Sequence, residues 1–122
     1  MRFKGDIIIT DPCYICKNGD WSKCGYGDNM GRLGIKNYIC RDTIYGDWSC
    51  TTFNSDTKEP IGEFCADAGL VAVFLLDEVL KYNPDSHEQD YKFQNMRLQV
   101  YPCGNYKVNL ELGEEYIIGG TR

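Results

Sequence analysis

Ile61-Gly62-Glu63-Phe64-Cys65, Ala66-Asp67-Ala68-Gly69, Leu70-Val71-Ala72-Val73-Phe74 and Leu75-Leu76-Asp77-Glu78-Val79-Leu80-Lys81-Tyr82 follow one another without a break. The first and third blocks read as strands and the second as the turn of a hairpin, with glycine supplying the positive φ that such turns require. The fourth changes period. Leu75, Leu76, Val79 and Leu80 recur at i, i+1, i+4 and i+5 while Asp77, Glu78 and Lys81 take the opposite face, which is helical spacing. An acidic first turn and the stop at Asn83-Pro84 complete a short amphipathic helix. A single helix over Leu70 to Tyr82 is the competing reading of the same residues.

Working towards the N-terminus, Tyr38 to Arg41 and Asp47 to Phe53 read as strands joined through Asp42 to Gly46. In the second, Trp48, Cys50 and Thr52 fall on one face and Ser49, Thr51 and Phe53 on the other, so one face lies near solvent or a pocket. Lys17 to Gly34 is Gly-, Asn- and Asp-rich loop, long enough to be functional or to hide a short element. Before it, Gly5-Asp6-Ile7-Ile8-Ile9-Thr10 is a continuous β-branched run, the mark of a buried strand, ended by Asp11-Pro12. Towards the C-terminus, Asp85 to Asp90 reads as a polar linker. Strands at Lys92 to Tyr101, Tyr106 to Leu110 and Tyr116 to Ile118 then form a meander. The expected architecture is α+β: a mainly antiparallel sheet or partly open barrel with one short helix, in a single domain over residues 1–122.

The net charge is −5, and no two of the 13 lysines and arginines are adjacent. Duplex nucleic acid and anionic membrane surfaces, which need clustered cations, are therefore poor partners. The longest nearly apolar run, Gly69 to Leu76, is far short of the roughly 20 residues that cross a bilayer, and no export signal opens the chain. A cytoplasmic protein is expected. Its seven cysteines, Cys13, Cys16, Cys24, Cys40, Cys50, Cys65 and Cys103, then read as reduced, small hydrophobes. Cys13-x-x-Cys16 with Cys24 and Cys40 has metal-like spacing but lacks the second close pair of a structural zinc site, so neither metal nor cofactor is assigned.

Catalytic constellations are sparse. The single histidine, His87, stands in polar sequence with no cysteine near it in the chain. Asp11, Asp47 and Asp67 occur at strand edges, where carboxylates converging on a divalent ion would serve a phosphodiesterase; as turn residues they have an ordinary role too. The sharper feature is aromatic: 9 Tyr, 5 Phe and 2 Trp, several of them in Gly-Asp turns. Gly19-Asp20-Trp21-Ser22 and Gly46-Asp47-Trp48-Ser49 are identical tetrapeptides, which shared turn chemistry explains. Tyr14, Trp21, Tyr45 and Trp48 offer rings for stacking a base, Arg32 and Arg41 guanidinium groups for a phosphate, and Asp47 a carboxylate for a ribose hydroxyl.

Gly5 to Tyr14, Tyr45 to Thr51 and Gly62 to Phe74 resemble blocks of a group of small uncharacterised proteins of bacteriophages and prophage-carrying Gram-positive bacteria. The likeness covers roughly Gly5 to Pro84 and assigns no residue a role. It implies a phage-type small-ligand binder, an anti-defence sponge that sequesters a cyclic nucleotide or ADP-ribose-type immune signal, with homo-oligomerisation as part of such a design. The alternatives are a metal-dependent phosphodiesterase acting on the same signal and an inhibitor that binds a host defence protein directly.

Overall fold

The computed structural model describes residues 2–16, 27–28, 34–43, 46–54, 56–92, 97–110 and 116–119, with 27–28 and 116–119 described by their backbone alone. Its strands are β1 (Arg2–Lys4), β2 (Ile7–Thr10), β3 (Gly27–Asp28), β4 (Ile39–Asp42), β5 (Trp48–Asn54), β6 (Pro60–Ala66), β7 (Leu70–Leu75), β8 (Leu98–Tyr101), β9 (Asn105–Lys107) and β10 (Tyr116–Gly119). Two helices, α1 (Leu76–Tyr82) and α2 (Glu88–Lys92), follow β7. The class is α+β and mainly antiparallel. The sheets are open, in the orders β3-β4-β7-β2-β8, β10-β5-β6 and β1-β9. Only β10 with β5 is a parallel pair among them.

The three isoleucines of β2 are all apolar because both faces of the five-stranded sheet are covered. Ile8 joins Cys40, Ala72, Phe74, Leu98 and Val100 under the helices, with Leu76, Val79 and Tyr91 packed on them. Ile7 and Ile9 turn the other way and meet Ile39, Val71, Val73, Phe3, Tyr106 and, from the smaller sheet, Cys50, Phe64 and Ala66. This is the period-2 alternation of a strand, applied to a layer buried on both sides. On the helical side Tyr38 and Phe74 meet ring to ring, with centroids 5.6 Å apart.

The helix at Leu76–Tyr82 forms as its period predicts, and the preceding residues to Leu75 are strand, which excludes a helix from Leu70 onward. The expected hairpin of Ile61–Cys65 with Leu70–Phe74 does not form. β6 pairs with β5, whereas β7 pairs with β2 and β4 in the other sheet. The turn glycine is still required. Gly69 has φ +73°, and a Cβ there would lie 3.2 Å from the Gly46 backbone, so Gly46 and the 67–70 turn pack tightly together. The Thr43 amide donates to the Gly69 carbonyl at 2.9 Å.

Three further expectations are corrected. Glu88–Lys92 is a second helix rather than linker: the Asp90 carboxylate accepts from the His87 amide at 2.8 Å, capping its start, and Tyr91 is buried beneath it. The eighth strand therefore begins at Leu98 rather than Lys92. The tail strands form no meander, because β8 adds to β2, β9 to β1 and β10 to β5. The long loop does hide a short element, β3, and no helix among the described residues is long and apolar enough to cross a membrane.

Candidate functional site

In β5–β6 register Cys50 faces Phe64, while Ser49 faces Cys65 and Thr51 faces Glu63. Since Cys50 and Phe64 point into the core, Ser49, Thr51, Glu63 and Cys65 are turned to the outer surface of the small sheet. Trp48 begins the strand and is 37% exposed. Asp47, Trp48, Ser49, Thr51 and Glu63 together line a hollow of about 370 Å³. Trp48, two exposed acids and two hydroxyl residues thus border one space. The lining can accept hydrogen bonds from hydroxyl or N–H donors.

Of the ligand-binding residues singled out from the sequence, Asp47 and Trp48 both border this hollow. Tyr14 does not line the hollow. Its hydroxyl donates to the Asp67 carboxylate across the turn after β6, and the Arg97 guanidinium lies 5.8 Å from its ring centroid. Burial, with that carboxylate second, holds the Tyr14 hydroxyl in its protonated form well above the ordinary tyrosine range. Arg41 is half-buried on β4, donates to the Cys40 carbonyl at 2.9 Å and is not part of the lining. Trp21, Arg32 and Tyr45 lie outside the described residues.

Asp11 has a different task. Its side chain is fully buried, and both carboxylate oxygens accept backbone N–H groups: Oδ1 from Cys13 at 2.9 Å, Oδ2 from Ala68 at 2.8 Å and Leu70 at 3.1 Å. One bond caps the short 3₁₀ turn Pro12–Tyr14, with Pro12 at its first position, and the other two hold the β6–β7 crossover. Asp11, Asp47 and Asp67 form no metal-holding group, and among the described residues no three His, Cys, Asp or Glu side chains do.

The same clasp sets the thiol chemistry. Burial first, and the Asp11 charge second, push the Cys13 thiol up to about 12 and the Cys50 thiol up to about 11. Both stay protonated at neutral pH. Cys40 is buried in the helical-side core, Cys16 packs at its margin, Cys103 is exposed, and Cys24 lies outside the described residues.

A larger hollow, about 530 Å³, is lined by Asp6, Lys92, Val100, Pro102 and Cys103. Its ammonium is already committed: Lys92 Nζ lies 2.6 Å from Glu88 and 3.4 Å from Asp6, and none of the described lining residues is aromatic. The Trp48 hollow is the better ligand site for that reason. Sequence reasoning missed Ser49, Thr51 and Glu63 as lining residues. Their signal was the polar alternation of β5 and the Asn54 to Pro60 turn, which brings Glu63 opposite Thr51.

The chain matches no family model, no curated protein and no solved structure.

Proposed function

We propose that this chain is a cytoplasmic small-ligand-binding protein of phage type that sequesters a nucleotide-derived signal in the Trp48 hollow. The supporting observation is that Asp47 and Trp48, which the sequence singles out for ribose and base, line one space with Ser49, Thr51 and Glu63. Its size falls at the small end of ligand pockets, about 300 to 1,000 Å³, so it suits a nucleoside moiety rather than a whole dinucleotide. The base stacks on the indole. Ribose hydroxyls donate to the Asp47 and Glu63 carboxylates, and the Ser49 and Thr51 hydroxyls satisfy the remaining polar edge.

Capture is favoured over turnover by the state of Asp11, whose oxygens are taken up by three backbone N–H groups and so have a structural role. Phosphodiesterase chemistry through Asp11, Asp47 and Asp67 would need that clasp to open. The biological side of the reading, an anti-defence sponge that assembles as a homo-oligomer, rests on the resemblance to phage proteins.

The test is thermal melting with ADP-ribose and a panel of cyclic dinucleotides. Ligand at 100 times its dissociation constant stabilises by about 2.7 kcal/mol, which raises the melting temperature of a domain this size by about 10 °C. Heating should then release the ligand intact. A cleaved product whose formation needs a divalent ion would replace this reading by the enzyme one. No shift with any nucleotide would replace it by direct inhibition of a host protein.

A further inference from the structure

We propose that Cys13 and Cys16 are a dithiol redox site, which closes to an intramolecular disulfide by exchange with a low-molecular-weight disulfide such as oxidised glutathione. Neither residue is among the described lining of the Trp48 hollow, so the pair stands whatever that hollow binds.

The Cys13-x-x-Cys16 spacing becomes a geometry because residues 12–16 close one helical turn. The Tyr14 amide donates to the Asp11 carbonyl at 3.2 Å, and the Ile15 and Cys16 amides both donate to the Pro12 carbonyl, at 3.0 and 2.9 Å. Positions i and i+3 of such a turn stand one above the other, with α-carbons about 5 to 6 Å apart. Disulfides bridge α-carbons about 4.4 to 6.8 Å apart, so this backbone can carry one after a small closing movement of the two β-carbons. Pro12 fixes the start of the turn, and Asp11 Oδ1 accepts from the Cys13 amide at 2.9 Å, which holds Cys13 in register with Cys16 before any bond forms. Both thiols are reduced and only partly buried, within reach of a small disulfide.

Two exchanges complete the reaction. Burial first, and the Asp11 charge second, leave the Cys13 thiol too little ionised to attack, so Cys16 opens. Its sulfur loses a proton to water and attacks the glutathione disulfide, which gives a mixed disulfide at Cys16 and releases one glutathione thiolate. Cys13, also giving its proton to water, then attacks Cys16 Sγ and releases the second. The two cysteines lose two electrons, and the two released thiolates take up two protons to become thiols. A dithiol whose reduced form gains from a stabilised thiolate gives up its disulfide readily. The Cys13 thiolate has no such gain beside the Asp11 carboxylate.

The experiment equilibrates the reduced protein with a glutathione redox buffer, quenches it in acid, alkylates with N-ethylmaleimide and digests with trypsin. Cleavage after Lys4 and Lys17 leaves one peptide, Gly5 to Lys17, that holds Cys13 and Cys16 and no other cysteine. That peptide should lose two hydrogens, about 2 Da, and take no maleimide, while exposed Cys103 takes up glutathione. At equal buffer composition its ratio of oxidised to reduced form should be at least tenfold higher in the folded protein than in concentrated urea, because the turn presets the spacing. Cys13→Ser should trap glutathione on Cys16. Two maleimides on the peptide once Cys103 is fully modified, a bond from either cysteine to Cys24 or Cys65, a ratio no higher than in urea, or an unmodified Cys16 in Cys13→Ser would each overturn the proposal.

Discussion

Replacing Asp11 by alanine removes one acceptor group from three backbone donors at once. The Leu70 amide is buried, so its loss carries the full penalty of an unsatisfied buried donor, about 1 to 3 kcal/mol. The Cys13 and Ala68 amides are partly buried and recover some hydration, so they add about 1 kcal/mol each. The sum, about 3 to 5 kcal/mol, is a large part of the 5 to 15 kcal/mol that holds a typical domain folded. In urea, with a slope of about 1 to 3 kcal/mol per molar, the midpoint should fall by about 2 M. Asp11→Asn keeps one acceptor oxygen for the Ala68 and Leu70 amides and turns its NH₂ against the Cys13 amide, so it should fall between wild type and alanine. The fluorescence-detected midpoints of the three proteins, taken with their slopes, decide the matter. Midpoints for Asp11→Ala within about 0.3 M of wild type would refute the clasp, and Asp11 would again be available as a functional carboxylate.

Other consequences are open to measurement. Gly62→Ala places a Cβ 1.4 Å from Gln99 Oε1 and 2.5 Å from its Cδ, at a crossing where Gln99 also accepts from Tyr101 Oη at 3.1 Å; it should destabilise by about 1 to 3 kcal/mol. Because the obstruction is the end of a side chain, Gln99→Ala in the same protein should recover part of the loss, and a double-mutant cycle reads the coupling. A Cys13 thiol raised to about 12 is about 10⁻⁴ ionised at pH 8, so iodoacetamide followed by peptide mass spectrometry should label exposed Cys103 well before Cys13 or Cys50. The two raised thiols also set a pH dependence. Folded and unfolded chains hold these protons equally below the ordinary value of 9.0, and above it the unfolded chain gives them up first. Stability should therefore be level up to about pH 9 and decline as pH rises towards 11 and 12, in urea melts under reducing conditions.

The elements with a strong period were legible in the chain. Ile7-Ile8-Ile9 announces a strand covered on both faces, and the switch at Leu75 to a 3.6-residue repeat marks where β7 becomes helix. Pairing was not legible across the Ala66 to Gly69 turn, because a glycine with positive φ serves a sheet-to-sheet crossover as well as a hairpin. What selects the crossover is long-range: Asp11, over 50 residues earlier, binds the Ala68 and Leu70 amides. Asp85 to Asp90 reads as linker, hiding the helix Glu88–Lys92, because Tyr91 is that helix's one buried residue, too little to give a hydrophobic period. In the site, Asp47 and Trp48 were found through their residue types. Tyr14 was read as a stacking ring, but its hydroxyl and face are taken by Asp67 and Arg97, neither of which is near it in sequence.

The account stands on the Trp48 indole as the floor of a ligand site. Isothermal titration of the nucleotide that gives the largest melting shift, into wild type and Trp48→Ala at equal folded fraction, tests it most directly. Loss of one base-stacking contact, about 1 to 3 kcal/mol, predicts a dissociation constant weakened about 5- to 150-fold. An unchanged constant in Trp48→Ala would contradict it and move the binding site elsewhere on the protein.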